Sequence, residues 1–348
     1  MATTSDDGRV RVGFLGAGFI ATFHSKMLAG SGVDHARGGV FDPDRSRAER
    51  FVANAGGFVA SSEDEVIDSC DAVYVCTWTS EHPRQVEKAA AKGRAVFIEK
   101  PLGVDLASSK TIAHTLGSSG VVHQVGLVLR YSPAFALLES LLAETARNGA
   151  VMTAVFRDDQ YLPTGGMYRS TWRGDPTVAG RGVLLEHSIH DVDLLDRLVG
   201  PVTAVSGRQR HFHGIDGIED LVVATVDLQG GGVGSLTTVW HDIGERPSLR
   251  YLEVHCERAW FAVEEDWWGP LRWTRAGETR ELEGEALLAA CAERGIGAPN
   301  PDGEFLRAVI EGGQAAPSAS VALRAHRIVD AIYRSADAGG APIVIDGD

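Results

Sequence analysis

The sequence predicts an α/β unit built on a parallel sheet over residues 1–127, followed by an α+β unit with a large, mostly antiparallel, open-faced sheet over residues 128–348. In the first part, short continuous apolar runs alternate with segments of helical period, which is typical of a parallel sheet covered on both faces. After residue 127 the runs are longer and alternate between apolar and polar residues, which is typical of an antiparallel sheet with one free face. A chain of 348 residues is also long enough for two domains.

In the first part, strands and helices follow one another along the chain. The predicted strands are residues 10–15, a run that ends at Asp42, and residues 72–76, 95–98 and 121–125. The predicted helices are residues 19–28, residues 45–54, a segment with a capping box formed by Ser62 and Glu65, one from Pro83 to Gly93, and one that starts near Asp105.

The second part begins with a long helix over residues 133–148. Its predicted strands are residues 151–156, 202–208, 221–228, 233–240 and 251–263, interrupted by a helix over residues 182–199. Helices over residues 302–311 and 321–336 and a strand over residues 343–345 follow, and they are candidates for packing back on the first unit.

Composition and charge exclude several classes of protein. The net charge of -14 describes an acidic surface, which repels phosphate backbones and anionic lipids and so argues against nucleic-acid and membrane partners. The first ten residues lack the apolar run of a signal peptide, and no apolar stretch is long enough to span a bilayer. Four scattered cysteines without a CxxC pair indicate reduced structural thiols, so a cytoplasmic location is expected.

A glycine-rich loop, Gly16-Ala17-Gly18-Phe19-Ile20-Ala21, lies between the first predicted strand and the first helix. Gly16 permits a tight turn, Gly18 lets the backbone approach a pyrophosphate, and Ala21 allows close packing of helix on strand. Free N–H groups and the helix dipole favour phosphate at such a helix start. The loop therefore predicts a Rossmann dinucleotide site.

The acid at the end of the second predicted strand, Asp42, favours NAD(H) as the cofactor. A carboxylate at this position accepts hydrogen bonds from the adenosine ribose and repels a 2′-phosphate. NADP(H) stays open because Arg45 and Arg47, just beyond, could pair with a phosphate. We prefer the ordinary interpretation of both arginines as part of a solvated first helical turn.

Five stretches carry a resemblance to a known family: the Gly16 loop with its trailing His24, residues 76–82, Glu99-Lys100-Pro101, residues 126–131 and residues 180–193. With these stretches the chain resembles the glucose–fructose oxidoreductase, inositol dehydrogenase and MocA family over nearly its whole length. The resemblance implies an NAD(P)-dependent dehydrogenase that acts on a CH–OH group of a sugar, sugar derivative or cyclitol. The cofactor-binding residues that it implies are Gly16, Gly18, Phe19, Ile20, Asp42, Thr77, Trp78, His82, Glu99 and Lys100.

Lys100 lies at the carboxyl end of a predicted parallel strand, where open α/β sheets bind ligands. Partial burial there lowers the pKa of an amine towards neutral pH, which suits a proton donor or acceptor. The position alone is equally typical of a surface lysine beside a turn proline, and the resemblance favours the functional interpretation. It also implies that the Lys100–Pro101 peptide is cis.

In the predicted helix 182–199, Glu186, His190 and Asp193 stand at i, i+4 and i+7 and share one face. A Glu one turn before a His can bond one ring nitrogen and raise the basicity of the other. Spacing alone favours a solvated helix face with a fortuitous i, i+4 pair. A metal pair of His187 and His190 is not expected because nothing completes a ligand set.

In the resembled family an Asp usually stands at Glu186 and a Gly at Ser188, whereas a His matches His190. Pro is usual at Trp78 and Asn is frequent at Val128. The resemblance implies that Lys100 and His190 handle the substrate hydroxyl, that Glu186 orients His190, and that Arg130 reaches a neighbouring substrate oxygen. Which of Lys100 and His190 takes the proton is left open.

The loop over residues 161–173 supplies further substrate candidates. Tyr161 opens it, Trp172 could stack on a sugar ring, and Arg169 or Arg173 could bind hydroxyls or a carboxylate; an ordinary surface loop is equally compatible with the pattern. Two other functions stay open: a non-catalytic dinucleotide sensor, and a reductase of a non-sugar carbonyl or imine. The open-faced sheet favours a homodimer or homotetramer.

Overall fold

The structure is a computed structural model that describes residues 8–165, 169–297 and 300–345. The chain divides into two compact units. The first consists of the described residues within Met1–Leu127 and Asn300–Leu323, and the second of those within Val128–Pro299 and Arg324–Asp348. None of the described helices is long and apolar enough to cross a membrane.

The first unit is built on a parallel sheet. Its strands are β1 (Arg11–Leu15), β2 (Ala36–Phe41), β3 (Phe58–Val59), β4 (Ala72–Val75), β5 (Ala95–Ile98) and β6 (His123–Val125). The helices between them are α1 (Phe19–Ala29), α2 (Arg45–Ala55), α3 (Glu63–Ser69), α4 (His82–Ala91) and α5 (Leu106–Ser119). The order β3-β2-β1-β4-β5-β6 reverses direction between β1 and β4, which is where such sheets bind ligands at their carboxyl ends.

Successive side chains of these strands fill two cores, one on each face of the sheet. On one face Phe14, Tyr74 and Phe97 stack in a row, with ring centroids 4.8 and 4.6 Å apart. The neighbouring residues Leu15 and Val75 point into the other core. Burying each such side chain contributes roughly 1.5–3 kcal/mol, so both faces of the sheet are held by apolar packing.

The second unit is built on a mostly antiparallel sheet. Its strands are β7 (Val151–Tyr161), β8 (Val202–Arg210), β9 (Leu221–Leu228), β10 (Val233–His241), β11 (Leu249–Cys256), β12 (Ala259–Val263), β13 (Leu271–Arg275), β14 (Glu278–Leu282) and β15 (Ile343–Val344). They lie in the order β14-β13-β12-β11-β7-β10-β9-β8-β15, and β7 and β10 form the parallel pair. The helices are α6 (Pro133–Leu142), α7 (Thr145–Asn148), α8 (Pro176–Ala179), α9 (Val183–Glu186), α10 (Ile189–Leu198) and α11 (Gly284–Glu293). The predicted fold class is therefore confirmed.

Several predicted elements are divided in the structure. The expected strand 251–263 is a hairpin of β11 and β12, with its turn at Glu257 and Arg258. The expected helix 133–148 is α6 followed by α7. The hairpin of β13 and β14 and the helix α11 were not predicted. Ala276 and Gly277, with φ of 53° and 82°, form the two-residue turn of that hairpin. A glycine between two strand-like segments is typical of such a turn, and it could have indicated the hairpin from the sequence.

After the second unit the chain forms α12 (Pro301–Glu311) and α13 (Ala319–Asp337). Helix α12 belongs to the first unit, where the Phe305 ring lies 5.6 Å from those of both Tyr74 and Phe97. The last strand, β15, pairs with β8 in the second sheet. The expectation that this strand packs on the first unit was therefore wrong, because its backbone completes the edge of the second sheet.

Candidate active site

The glycine-rich loop joins β1 to α1 as predicted. Gly16 has a φ of 88°, and a Cβ there would lie 2.5 Å from the carbonyl oxygen of Cys76, so only glycine fits this turn. Gly18 caps α1 without a side-chain hydrogen bond, and a Cβ at Gly18 would meet no described atom within 4 Å. Open space before uncapped helix N–H groups fits a pyrophosphate. Phe19 is 81% exposed at this edge, whereas Ile20 packs against the core.

Asp42 follows β2 at the same edge and is tied to the loop. Its Oδ2 accepts a hydrogen bond from the Ala17 N–H at 2.9 Å, and its Oδ1 accepts one from the Asp44 N–H at 2.9 Å. Each carboxylate oxygen keeps a further lone pair, so the group can still accept from ribose hydroxyls. Arg45 pairs with Glu49 at 3.0 Å, and Arg47 with Asp44 at 3.4 Å, as expected of a solvated helical turn.

Thr77, Trp78 and His82 follow β4, and they have different surroundings. Thr77 donates its hydroxyl proton to Gln85 at 2.6 Å, and Trp78 is 46% exposed. The His82 ring is buried, and its Nδ1 lies 3.1 Å from the carbonyl oxygens of both Pro101 and Leu102. Burial lowers the pKa of His82, so a neutral ring with its proton on Nδ1 holds the segment that follows Lys100.

Glu99 and Lys100 follow β5, and the Lys100–Pro101 peptide is cis, as the resemblance implied. Oε2 of Glu99 accepts a hydrogen bond from the backbone N–H of Lys100 at 3.1 Å. Its Oε1 lies 2.7 Å from Nε2 of His24. A Cβ at Gly126 would overlap this carboxylate, so Gly126 leaves the space that the Glu99 side chain occupies.

In the second unit, Arg130 is held by an acid of α10. Its Nε and Nη2 each donate to a different carboxylate oxygen of Asp193 at 2.6 Å, which is the bidentate geometry of a strong ion pair. Burial raises the pKa of Asp193, and Arg130 opposes that shift. Asp193 therefore orients the guanidinium.

Glu186 and His190 do not share one helix. Helix α9 ends at Glu186 and α10 begins at Ile189, so the predicted continuous helix and its i, i+4 face were wrong. The cause lies in the two residues between the helices. His187 lies 3.0 Å from Asp158 of β7, and the Ser188 hydroxyl bonds both Asp158 and Thr238 of β10. These buried polar contacts draw the backbone out of the helix.

The Glu186 carboxylate accepts a hydrogen bond from Nε of Arg173 at 2.5 Å. The Arg173 guanidinium also lies 4.5 Å from the centre of the Trp172 ring and donates to the Ser170 hydroxyl at 2.7 Å. The structure thus places Arg173 in contact with both Glu186 and Trp172. The sequence had suggested a contact of Glu186 with His190, and of Arg173 and Trp172 with the substrate. His190 lies in the first turn of α10 and is buried.

Tyr161, at the end of β7, donates its hydroxyl proton to Asp242 at 2.6 Å. That hydrogen bond raises the pKa of Tyr161. Arg169 is exposed and has a φ of 42°. Among the described residues, no three His, Cys, Asp or Glu side chains are grouped to hold a metal ion. The four cysteines are free and buried, which confirms the prediction of structural thiols.

Two clusters of buried charge were missed from the sequence. In the first unit His24 lies between Glu99 and Asp302. In the second, Arg250 donates to Asp191 at 2.6 Å, to Asp158 at 3.0 Å and to Asp266. The second cluster had a signal: Asp158 stands in the inward register of Ala154 and Phe156, and Arg250 in that of Leu252 and Val254. The distant partner Asp302 had none.

Comparison with known proteins agrees with this geometry. Residues 10–127 match a family model described as an oxidoreductase family with an NAD-binding Rossmann fold, and residues 141–262 match the GFO/IDH/MocA C-terminal domain. A scyllo-inositol 2-dehydrogenase (NAD(+)) from Bacillus subtilis is 31% identical over 66% of this chain and 66% of its own length. An inositol 2-dehydrogenase from Cereibacter sphaeroides is 28% identical over 89% of each chain.

A levoglucosan dehydrogenase solved with NADH and L-sorbose superposes with a TM-score of 0.84 at 20% identity, over 97% of this chain and 99% of its own. At that identity the likeness concerns the fold. The family matches cover both units, and the Gly16 loop and Asp42 fit the NAD that the family binds. This chain belongs to the GFO/IDH/MocA family of NAD-binding oxidoreductases.

Proposed function

We propose that this protein transfers hydride between NAD and a carbinol or carbonyl carbon of a small polyol: a sugar, sugar derivative or cyclitol. The observation that carries this proposal is the position of Lys100. It follows β5 at the carboxyl end of the parallel sheet, in the unit whose Gly16 loop fits a dinucleotide, and Glu99 bonds its backbone N–H. An amine at such an edge suits proton exchange with a hydroxyl.

The residues that we assign to the cofactor lie in the first unit, and those that we assign to the substrate lie in both units. The N–H groups at the start of α1 hold the pyrophosphate, Asp42 holds the adenosine ribose, and Lys100 exchanges a proton with the substrate hydroxyl. The chemistry that bound NAD supplies is hydride transfer at the nicotinamide ring. The family resemblance also assigns His190 of the second unit to the substrate hydroxyl, and it assigns Arg130, which Asp193 holds, to a neighbouring substrate oxygen.

The proposed substrate class is supported by the relatives named as inositol 2-dehydrogenases. The second unit also contains groups that suit a ring rich in hydroxyls. Arg173 lies against Trp172, and an aromatic face next to hydrogen-bond donors is a common way to hold a sugar. Tyr161 and Asp242, which are hydrogen-bonded to each other, keep lone pairs that can accept from substrate hydroxyls.

The test is a screen of inositols and neutral sugars with NAD, followed by the appearance of NADH fluorescence. We expect turnover of at least one polyol by the wild type, and turnover lower by roughly 10²-fold or more in Lys100→Met. Binding of NADH without turnover of any polyol would favour the non-catalytic sensor. Turnover confined to a non-sugar carbonyl or imine would favour the reductase.

We also propose that the protein is a homodimer or homotetramer. The outer face of the second sheet exposes Val155, Val223 and Val233, one on each of the neighbouring strands β7, β9 and β10. Exposed apolar side chains on a broad sheet favour burial against another copy. Light scattering of the eluting protein should give a multiple of 37.1 kDa, reduced by Val223→Glu; a monomeric wild type would contradict the proposal.

A further inference from the structure

A buried histidine of α1 joins two carboxylates from distant parts of the chain. Nε2 of His24 lies 2.7 Å from Oε1 of Glu99, and Nδ1 lies 2.9 Å from Oδ1 of Asp302. His24 and Asp302 are completely buried, and Glu99 nearly so. The three groups connect the dinucleotide helix α1, the end of β5 and the first turn of α12.

The contacts define the protonation state of His24. Both ring nitrogens face a carboxyl oxygen, so when both acids are ionised both nitrogens must carry a proton for the two contacts to be hydrogen bonds. Burial disfavours the charged ring, but the hydrogen bonds and negative charges of Asp302 and Glu99 raise the pKa of His24 to about 9. At neutral pH the ring is therefore an imidazolium between two acids.

The surroundings keep water away from this pair of contacts. The ring centroid of His24 lies 4.6 Å from that of Phe97 and 5.7 Å from that of Tyr74. Besides the neutral His82 ring near Glu99, the other titratable groups that face the cluster among the described residues are the Tyr74 hydroxyl and the Cys76 thiol. Burial, reinforced by the nearby acids, holds the pKa of both well above their usual ranges, so both stay neutral.

Through Glu99, the cluster is hydrogen-bonded to the backbone of Lys100. Glu99 accepts from His24 with one oxygen and from the Lys100 N–H with the other, and Gly126 leaves the space for this carboxylate. The direction of the Glu99 side chain is therefore determined at both oxygens. Through it, the backbone from which the Lys100 amine extends is tied to α1 and α12.

Stability alone is a weak reason for such a cluster, because apolar side chains of similar volume often replace buried ion pairs without loss. We propose that His24 is a positioning residue for Lys100: together with Asp302 it fixes the Glu99 carboxylate and, through it, the backbone at Lys100. The proton-transfer role of Lys100 rests on the proposed function; the positioning of its side chain does not.

Kinetics of His24→Gln test the positioning role, because glutamine reaches only one of the two carboxylates. We expect kcat to fall by roughly 10- to 100-fold, as for a small misplacement of a reacting group, with the NADH dissociation constant unchanged. Asp302→Asn keeps an oxygen that can accept from the His24 ring, so its kcat should fall less than that of His24→Gln. His114→Gln, the same change on the exposed side of α5, should match the wild type.

A second measurement needs no turnover. The chain has five lysines, so methyl groups added to their amines by reductive methylation give few NMR signals, and Lys100→Arg identifies that of Lys100. We expect this signal to shift in His24→Gln and Asp302→Asn and to stay in place in His114→Gln. If wild type fails to oxidise any polyol while the signal still shifts, the proposed function fails and the positioning role stands.

The opposite results overturn the inference. An unmoved Lys100 signal with an unchanged kcat, even if the melting temperature of His24→Gln falls, would make His24 a structural residue only. A loss of NADH affinity in proportion to kcat would show that the cluster shapes the dinucleotide loop rather than Lys100.

Discussion

Arg173 donates a hydrogen bond from Nε to the carboxylate of Glu186 while its guanidinium lies over the ring of Trp172, 4.5 Å from the ring centre. The Glu186 carboxylate is thereby bonded by an arginine from the loop that the sequence assigned to substrate binding. The Glu in place of the usual Asp has a longer side chain, and it reaches this guanidinium. We infer that Glu186 acts by ordering Arg173 and Trp172.

Arg173→Lys should therefore weaken substrate binding more than turnover. Lysine keeps the charge but lacks the planar fork that bonds a carboxylate and stacks on an indole. We expect KM for the polyol to rise about tenfold, equivalent to about 1.4 kcal/mol, with kcat nearly unchanged. Steady-state kinetics measure both. Arg197→Lys, at an exposed pair with Glu139, is the control, and an equal loss in kcat would contradict the prediction.

Removing the Asp42 carboxylate should shift the cofactor preference. Asp42→Ser removes an acceptor for ribose and the charge that repels a 2′-phosphate. We expect kcat/KM for NAD to fall about tenfold or more, and the ratio of NADP to NAD efficiency to rise. Asp42→Asn keeps an acceptor for the Ala17 N–H and separates effects on the loop from effects on ribose. An unchanged ratio in Asp42→Ser would refute this role.

Lys100→Met and His190→Ala should each lower turnover roughly 10²- to 10⁴-fold, the usual contribution of a general acid or base, while NADH still binds. NADH fluorescence titration and single-turnover rates measure the two properties separately. The variant that also loses a limb of the pH–rate profile identifies the group that takes the proton. Turnover like that of the wild type in both variants would contradict the assignment.

Substitution of Asp158 and of Asp191 by asparagine should lower the free energy of unfolding by different amounts. Burial raises the pKa of Asp191 well above its usual range, so replacing this carboxyl group with a neutral amide should cost little. Burial also opposes ionisation of Asp158, but His187 and Arg250 hold its pKa well below the usual range. We expect Asp158→Asn to cost about 3 kcal/mol of unfolding free energy, and Asp191→Asn less than about 1 kcal/mol.

Urea unfolding followed by tryptophan fluorescence measures these costs. The exposed Asp216→Asn is the matched control. Equal losses in Asp158→Asn and Asp191→Asn would mean that both acids are ionised.

The His24 cluster should make stability depend on pH. A folded pKa of about 9 lies above the ordinary value of 6.5, so the stabilising contribution is complete below about pH 6.5 and is lost as pH rises through 9. Its size is roughly 3 kcal/mol. The difference in melting temperature between wild type and His24→Gln should shrink between pH 6.5 and 10. A constant difference would show that the ring is neutral.

The sequence correctly predicted the features that depend on residues close together in the chain. The turn at Gly16, the helix that Asp105 caps and the strand before Glu99 all depend on residues within a few positions. The Ser62 cap formed only in part: Ser62 accepts from the Glu65 N–H, whereas the Glu65 carboxylate bonds Ser61 instead. The spacing of a capping box does not indicate which of two adjacent serines the Glu65 side chain will bond.

The failures share a physical cause in distant contacts. The helix break before His190 comes from Asp158 and Thr238, which approach Ser188 only after the second sheet has formed. The i, i+4 spacing therefore described a continuous helix that tertiary hydrogen bonds interrupt. The contact between Glu186 and Arg173 was missed for a similar reason, because Arg173 lies on a separate 3₁₀ turn, Thr171–Gly174, that only the folded chain brings to Glu186.

The position of Asp302, 278 residues after His24, also has a consequence for biosynthesis. A ribosome adds roughly 5–20 residues per second, so the strands of the first sheet emerge tens of seconds before the helix that supplies this acid. During that interval the His24 ring and the aromatic row beside it lack their last partners. The N-terminal segment by itself is therefore an unfinished domain, and the nascent chain must complete its first unit after most of its second has been made.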